Sequence, residues 1–172
     1  VVGWSGSGKT TLITGVLPHL RAAGLRVSTI KHAHHDLALD RPGKDSFRHR
    51  EAGAEEVLVV GGARWALLRE TPEGPAELDA LANRLAPVDL VLVEGFKAYP
   101  FAKMEVYRAA TGKPPLWPEI AGIVAVASES EGSGTCPCTL LPLNDPARIA
   151  QWMLGFVARC KADPAAGMVL RT

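Results

Sequence analysis

The apolar positions of the chain fall into blocks whose spacing switches between helix and strand. From Thr11 to Gly24, residues Leu12, Ile13, Val16, Leu17 and Leu20 recur at intervals near three and four, the period of a helix with one buried face. Leu25 to Lys31 is β-branched at Val27, Thr29 and Ile30 and predicts a strand. A polar stretch follows from His32 to about Lys44. A short helix is then expected to start at Asp45 or Ser46, either of which is a suitable cap, and to stop at Gly53. Glu56 to Val60 predicts the next strand, and Ala63 to Arg69 folds back onto it through Gly61-Gly62 as a hairpin. Glu77 to Leu85 reads as a helix closed by Pro87. Val88 to Val93 is apolar except at Asp89, the pattern of a central parallel strand covered on both faces. Lys103 to Arg108 alternates loosely and suits an edge strand, while Ile120 to Ala127 and Thr139 to Leu141 predict two more strands. Ala147 to Lys161 is the last helix, with Ile149, Met153, Phe156 and Val157 on one stripe and Asn144 or Asp145 at its cap.

Strand and helix thus alternate, which predicts an α/β fold with a mostly parallel sheet between layers of helix and one edge hairpin. The segment ahead of the first helix gives that fold a chemistry. Gly3 to Thr10, GWSGSGKT, fits the phosphate-loop pattern G-x-x-x-x-G-K-[ST] at every fixed position. The glycines let successive backbone N–H groups converge on one point, and the helix that follows adds its N-terminal partial charge to the anion site. Lys9 is expected to reach the β and γ phosphates of a nucleoside triphosphate, and the Thr10 hydroxyl to ligate magnesium. The fold expected is therefore the P-loop NTPase three-layer sandwich.

Composition narrows the setting. At 172 residues the chain is expected to form one nucleotide-binding domain over 1–172. A formal charge of +1 gives no reason to expect nucleic acid or an acidic membrane as partner. No apolar run reaches the roughly 18 residues of a membrane span. With the loop at the N-terminus no secretory signal is expected, and three cysteines fit a reducing cytoplasm better than a disulfide framework. Only Val1 and Val2 precede the loop and no initiator Met is present, so a few native residues completing the first strand are expected ahead of Val1.

A phosphate-loop fold needs an apolar strand that delivers a carboxylate to the metal, and Asp89 to Gly95, DLVLVEG, offers two. Five strand residues separate Asp89 from Glu94 by roughly 17 Å, and ligands of a parallel sheet lie beyond its carboxyl ends. Glu94 is at that end. It is expected to be a magnesium ligand of the outer shell or the group that orients the attacking water, with Asp89 making local hydrogen bonds. Gly95 would admit a substrate or second loop close to the backbone. The polar loop after the second strand leaves open three readings: a switch-like loop in which Asp36 or Asp40 helps hold magnesium while Lys31 or Lys44 meets phosphate, a transition-metal site using His34, His35 and Asp36, or a solvated loop. Adjacent histidines rarely bind one ion, and no helical H-x-x-x-H accompanies them, which weighs against the metal. Cys136 and Cys138 read as ordinary loop cysteines, because no second pair completes a tetrahedral set. With phosphates on the first loop, a purine is expected near the loops Ser128–Ser130 and Leu143–Pro146, but no N-K-x-D guanine signature is present, so these residues do not choose between GTP and ATP.

The runs GWSGSGKTTL, KHAHHDLALDRPGKDSFRHREAGA (31–54) and DLVLVEGFK (89–97), with KMEVYR (103–108) and LNDP (143–146), resemble the molybdopterin-guanine dinucleotide biosynthesis protein MobB family over about residues 3 to 150. The resemblance implies a cytoplasmic, GTP-binding and weakly hydrolysing accessory protein with Mg2+ as cofactor. It further implies a homodimer that works beside the nucleotidyltransferase (MobA-type) joining GMP to molybdopterin, and with molybdopterin-bearing proteins. It places phosphates on Gly3, Ser5, Gly6, Ser7, Gly8, Lys9, Thr10 and Thr11. The loop from Lys31 and His32 through Asp36 to Lys44, with Glu94 and Gly95, would complete the site. Thr10, Glu94 and Asp36 would hold the metal, and Lys9 and Glu94 would carry any catalysis. The alternatives are a small-molecule P-loop kinase using ATP, for which Arg48 and Arg50 would have to serve as a lid, and a nickel-delivery GTPase of metallocentre assembly. No arginine finger is evident in the sequence, so slow turnover is expected.

Overall fold

The computed structural model describes residues 1–33, 40–74, 76–129 and 136–163. These fall into two compact units, one formed by residues 1–32 together with the chain from Ala82 onward, the other by Ala33–Leu81.

The first unit is built on parallel strands. β1 (Val27–Lys31) pairs in parallel with β4 (Leu90–Glu94), in a register that sets Lys31 beside Glu94. β5 (Lys103–Tyr107), β6 (Ile123–Ser128) and β7 (Thr139–Pro142) form a second parallel set in that order. Val1 and Val2 join the two sets. Val1 N donates to Val93 O (2.6 Å) and Val1 O accepts from Gly95 N (3.0 Å), while Val2 bridges Glu105 in parallel. The resulting order is β1, β4, Val1–Val2, β5, β6, β7. Every carboxyl end lies on one edge, and the chain leaves that edge between β4 and β5 to enter the glycine-rich loop.

Helix α1 (Lys9–Ala22) buries Leu12, Ile13, Val16 and Leu20, and α4 (Pro146–Ala162) buries Ile149, Ala150, Met153 and Cys160. The two helices pack together, and Gly15 makes that possible: a Cβ there would lie 3.2 Å from the Pro146 ring. Their apolar stripes meet Leu92, Met104, Val106, Ala125, Ala127 and Leu141 in one core. Asp145 caps α4 by accepting from Arg148 N (2.9 Å), with Pro146 at the first helical position, where its missing N–H costs nothing.

β5 is not the edge strand its composition suggests. It lies between Val2 and β6 and is buried from Lys103 to Val106. Met104 and Val106 join the core, and alternation turns Lys103 and Glu105 to the opposite face. The charges are tolerated there because each is satisfied. Lys103 Nζ donates to Phe101 O and Ala121 O (both 3.0 Å), and Glu105 accepts from Leu116 N (2.7 Å) and Trp117 N (3.0 Å).

The second unit holds α2 (Asp45–Glu51) and the antiparallel hairpin of β2 (Glu56–Val60) and β3 (Trp65–Arg69), closed by a turn over 61–64. The α2 cap position is Lys44, in extended conformation, rather than Asp45 or Ser46. Ser46 instead donates to Asp40 (2.8 Å), so the hydroxyl expected to cap the helix ties down the chain before it. A short helix α3 (Leu78–Ala82) runs across the division between the units.

Candidate functional site

Gly3 opens the loop in a conformation closed to other residues. Its φ is +153°, and an added Cβ would lie 2.6 Å from both Ser7 Oγ and Val106 O. Ser7 N donates to Trp4 O (3.2 Å), which closes the turn, and the Ser7 hydroxyl is 1% exposed with no hydrogen-bond partner for its Oγ. Lys9 folds back over the loop, its Nζ donating to Gly3 O (3.1 Å) and Trp4 O (2.9 Å). Partial burial holds the Lys9 ammonium below its ordinary pKa. Glu94 opposes that shift, and Lys97 and Lys31 add to it. Ser5, Thr10 and Thr11 are exposed at the mouth.

The strand-end carboxylate meets the loop at this mouth. Thr10 Oγ1 donates to Glu94 Oε1 (3.1 Å) and Oε2 (3.2 Å), and Lys31 Nζ lies 3.6 Å from Glu94 Oε1 and 3.4 Å from Thr10 Oγ1. A hydroxyl and a carboxylate thus converge on a point already held by a cationic ammonium. These are hard oxygen donors of the kind magnesium takes, and they fit the ion. Asp89, at the other end of β4, is engaged locally, accepting from Arg26 N (2.8 Å) and pairing with its Nε (3.3 Å). The choice of Glu94 over Asp89 follows the direction of the strand.

Gly95 and Phe96 both take positive φ, +98° and +51°, and turn the chain sharply after Glu94. A Cβ on Gly95 would meet His32 Cβ at 3.0 Å, so the close approach anticipated at Gly95 is made by His32. His32 N donates to Glu94 O (2.9 Å) and its ring lies 4.8 Å from that of Phe96. Lys44 and Asp40 belong to the second unit. Lys44 is the cap position of α2, and Asp40 is taken up by Ser46 and by Arg50 Nε at 3.7 Å. Arg50 is also paired with Glu70 (2.6 Å). His34, His35 and Asp36 lie outside the described residues.

Three charged residues that sequence reasoning passed over also reach the loop. Lys97 Nζ stands 4.4 Å from the centre of the Trp4 ring, with Lys113 Nζ at 5.7 Å, while Trp4 Nε1 donates to Pro114 O (2.8 Å). Arg108, directly after β5, lies against Gly8 and pairs with Glu129 Oε1 at 3.4 Å. Lys97 was visible as part of the run EGFK, and Glu129 lies in the Ser128–Ser130 loop where a purine was expected, but nothing local marked Arg108, whose position depends on the order of strands. Cys136 and Cys138 lie at the amino end of β7, away from this edge. Both are free thiols with sulfurs 2.7 Å apart, and burial followed by the Cys136 contact pushes the Cys138 thiol up to about 12. Among the described residues no group of three or more His, Cys, Asp or Glu could hold a metal ion, and no helix is long and apolar enough to cross a membrane.

Comparison with known proteins agrees with this architecture. Solved structures with the same fold include a MobB protein homolog from Bacillus stearothermophilus (TM-score 0.67, 27% identity, 92% of this chain and 95% of that one). Bacillus subtilis MobB superposes with a TM-score of 0.71 at 24% identity, over 90% of this chain and 93% of that one. The molybdopterin-guanine dinucleotide biosynthesis adapter protein of Escherichia coli is 41% identical over 160 residues, 91% of this chain and 90% of its own length. Its Haemophilus influenzae counterpart is 47% identical over 131 residues, 74% of this chain and 72% of its own. Residues 1–129 match the family described as Molybdopterin guanine dinucleotide synthesis protein B. The chain has the P-loop NTPase fold and belongs to the MobB family of molybdopterin-guanine dinucleotide biosynthesis adapter proteins.

Proposed function

We propose that the chain binds GTP with magnesium at the Gly3–Thr11 segment, hydrolyses it slowly, and acts in the cytoplasm as an accessory to the nucleotidyltransferase that joins GMP to molybdopterin. The observation that carries this reading is the contact of Thr10 Oγ1 with both oxygens of Glu94, with Lys31 beside them. Thr10 and Glu94 would hold the magnesium ion, which neutralises phosphate oxygens when bound. Lys9 exchanges the Gly3 and Trp4 carbonyls for phosphate oxygens, and the amides of Gly6, Ser7, Gly8 and Lys9 complete the anion cradle. The buried, unpartnered Ser7 hydroxyl supports a ligand at this point. Exposed apolar residues on the hairpin, Val60 at 71% and Trp65 at 68%, support self-association as a homodimer.

Calorimetric titration with Mg-GTP and Mg-ATP tests the reading. GTP is expected to bind in preference to ATP. Lys9→Ala is expected to abolish binding, whereas Glu94→Gln should retain binding and slow hydrolysis by about tenfold or more. Normal affinity in Lys9→Ala would remove the phosphate-loop assignment, and a preference for ATP would favour a kinase instead.

A further inference from the structure

The two flanks of the glycine-rich loop carry different chemistry. On the β4 flank are the hydroxyl of Thr10, the carboxylate of Glu94 and the ammonium of Lys31. On the β5 flank are Arg108 and Glu129, at the carboxyl ends of β5 and β6. Because Val1–Val2 lie between β4 and β5, the loop emerges between these two groups. A nucleotide whose terminal phosphates rest at Thr10 and Glu94 must run its nucleoside across the loop toward the other flank.

We propose that Arg108 and Glu129 form the nucleoside subsite and that the Glu129 carboxylate selects guanine. The inference rests on the nucleotide-binding reading above. Arg108 touches the loop itself: a methyl group placed on Gly8 would lie 3.5 Å from its Nε and 3.8 Å from Cζ and Nη2. Its Nη2 reaches Glu129 Oε1 at 3.4 Å, so one guanidinium spans the distance from the loop to the carboxylate. Both side chains remain open to a ligand, at 34% and 42% exposure. Arg108 Nε, by contrast, is buried and has no hydrogen-bond partner. An orphaned donor beside an anion-binding loop is explained by a ligand oxygen that accepts from it.

The selectivity follows from what a carboxylate can do. It only accepts hydrogen bonds. The guanine edge presents two adjacent donors, N1–H and the N2 amino group, which match its two oxygens. Adenine presents one donor beside an acceptor, N1, which would face a carboxylate oxygen across a repulsive gap. Arg108 is then a positioning residue, holding Glu129 in place and offering Nε to a ribose or α-phosphate oxygen.

Binding of GTP, ATP and XTP, each with magnesium, to wild type, Glu129→Gln and Arg108→Gln tests the assignment. Glu129 is exposed, and unchanged near-ultraviolet circular dichroism confirms that its variant is folded. Wild type is expected to prefer GTP. Glu129→Gln should weaken GTP by about tenfold to a hundredfold and strengthen XTP, because the amide accepts from N1–H and donates to the 2-carbonyl of xanthine. Arg108→Gln should lower the GTP-to-ATP ratio, whereas an arginine that only supports the fold would weaken both alike. An unchanged GTP-to-XTP ratio in Glu129→Gln overturns the inference, while GTP binding by wild type that is lost in Lys9→Ala leaves the proposed function standing. Failure of wild type to bind any nucleotide overturns both. Preference of wild type for ATP overturns the guanine assignment.

Discussion

Strand β5 carries a lysine and a glutamate and is buried from Lys103 to Val106, whereas the β2–β3 hairpin carries Leu58, Val59, Val60, Trp65 and Leu67 and leaves them exposed. Hydropathy alone orders these two regions the wrong way round. What separates them is the company the backbone keeps. β5 has a hydrogen-bonded neighbour on each side, and the charges on its outer face find carbonyl and N–H partners in the segments that cover it. Among the described residues the hairpin is a two-stranded ribbon whose strands pair only with each other. A charged side chain can therefore be interior when it is fully satisfied, and an apolar one exterior when it stands on a ribbon of two strands.

The sharpest test removes the satisfaction at β5. Glu105→Ala leaves the buried N–H groups of Leu116 and Trp117 without acceptors and is expected to cost about 3 kcal/mol, a fall of roughly 6–12 °C in Tm by calorimetry. A change under 1 °C would mean that the contrast with the hairpin is not one of hydrogen-bond satisfaction.

A smaller effect is expected in the pH dependence. Burial raises the Glu105 carboxyl above its ordinary 4.5, against the two N–H contacts and Lys97, which lower it. A group whose pKa is raised by folding binds its proton more tightly in the native state. Its favourable contribution is complete below about 4.5 and is lost as pH rises through the raised native value. Urea unfolding from pH 4 upward should show this loss in wild type and a flatter profile in Glu105→Gln, and identical slopes would contradict the assignment.

The smallest effect belongs to the hairpin. Val60→Lys and Trp65→Lys should each change monomer stability by no more than about 0.5 kcal/mol, since both side chains are already in water. Sedimentation velocity should nevertheless show weakened self-association. Destabilisation without change in association would make the exposed residues internal supports after all.

These regions also show where sequence reading succeeds. The glycine-rich loop was legible because its spacing is local and its first helix follows at once. Glu94 was legible because strand direction alone separates it from Asp89. Arg108 was not, since it reaches the loop only when β5 is set beside Val1–Val2 and meets Glu129 only through the pairing of β5 with β6, and no short pattern encodes that order. The interior place of β5 was hidden for the same reason: the partners of Lys103 and Glu105 lie at Phe101, Leu116, Trp117 and Ala121, outside the strand. The cap of α2 was misassigned because Ser46 turned to a side chain, Asp40, that precedes the helix.

Trp4 gives the loop an optical property. Its indole N–H is tied to Pro114 O, its carbonyl accepts from Lys9, and the ammonium of Lys97 stands over its ring. Emission from an indole responds to nearby charge and to exposure, so withdrawal of Lys9 toward a ligand alters the light from the residue whose carbonyl it leaves. Phenylalanine in place of the other three tryptophans, Trp65, Trp117 and Trp152, would isolate that signal. The occupancy of the loop could then be followed in real time without a label.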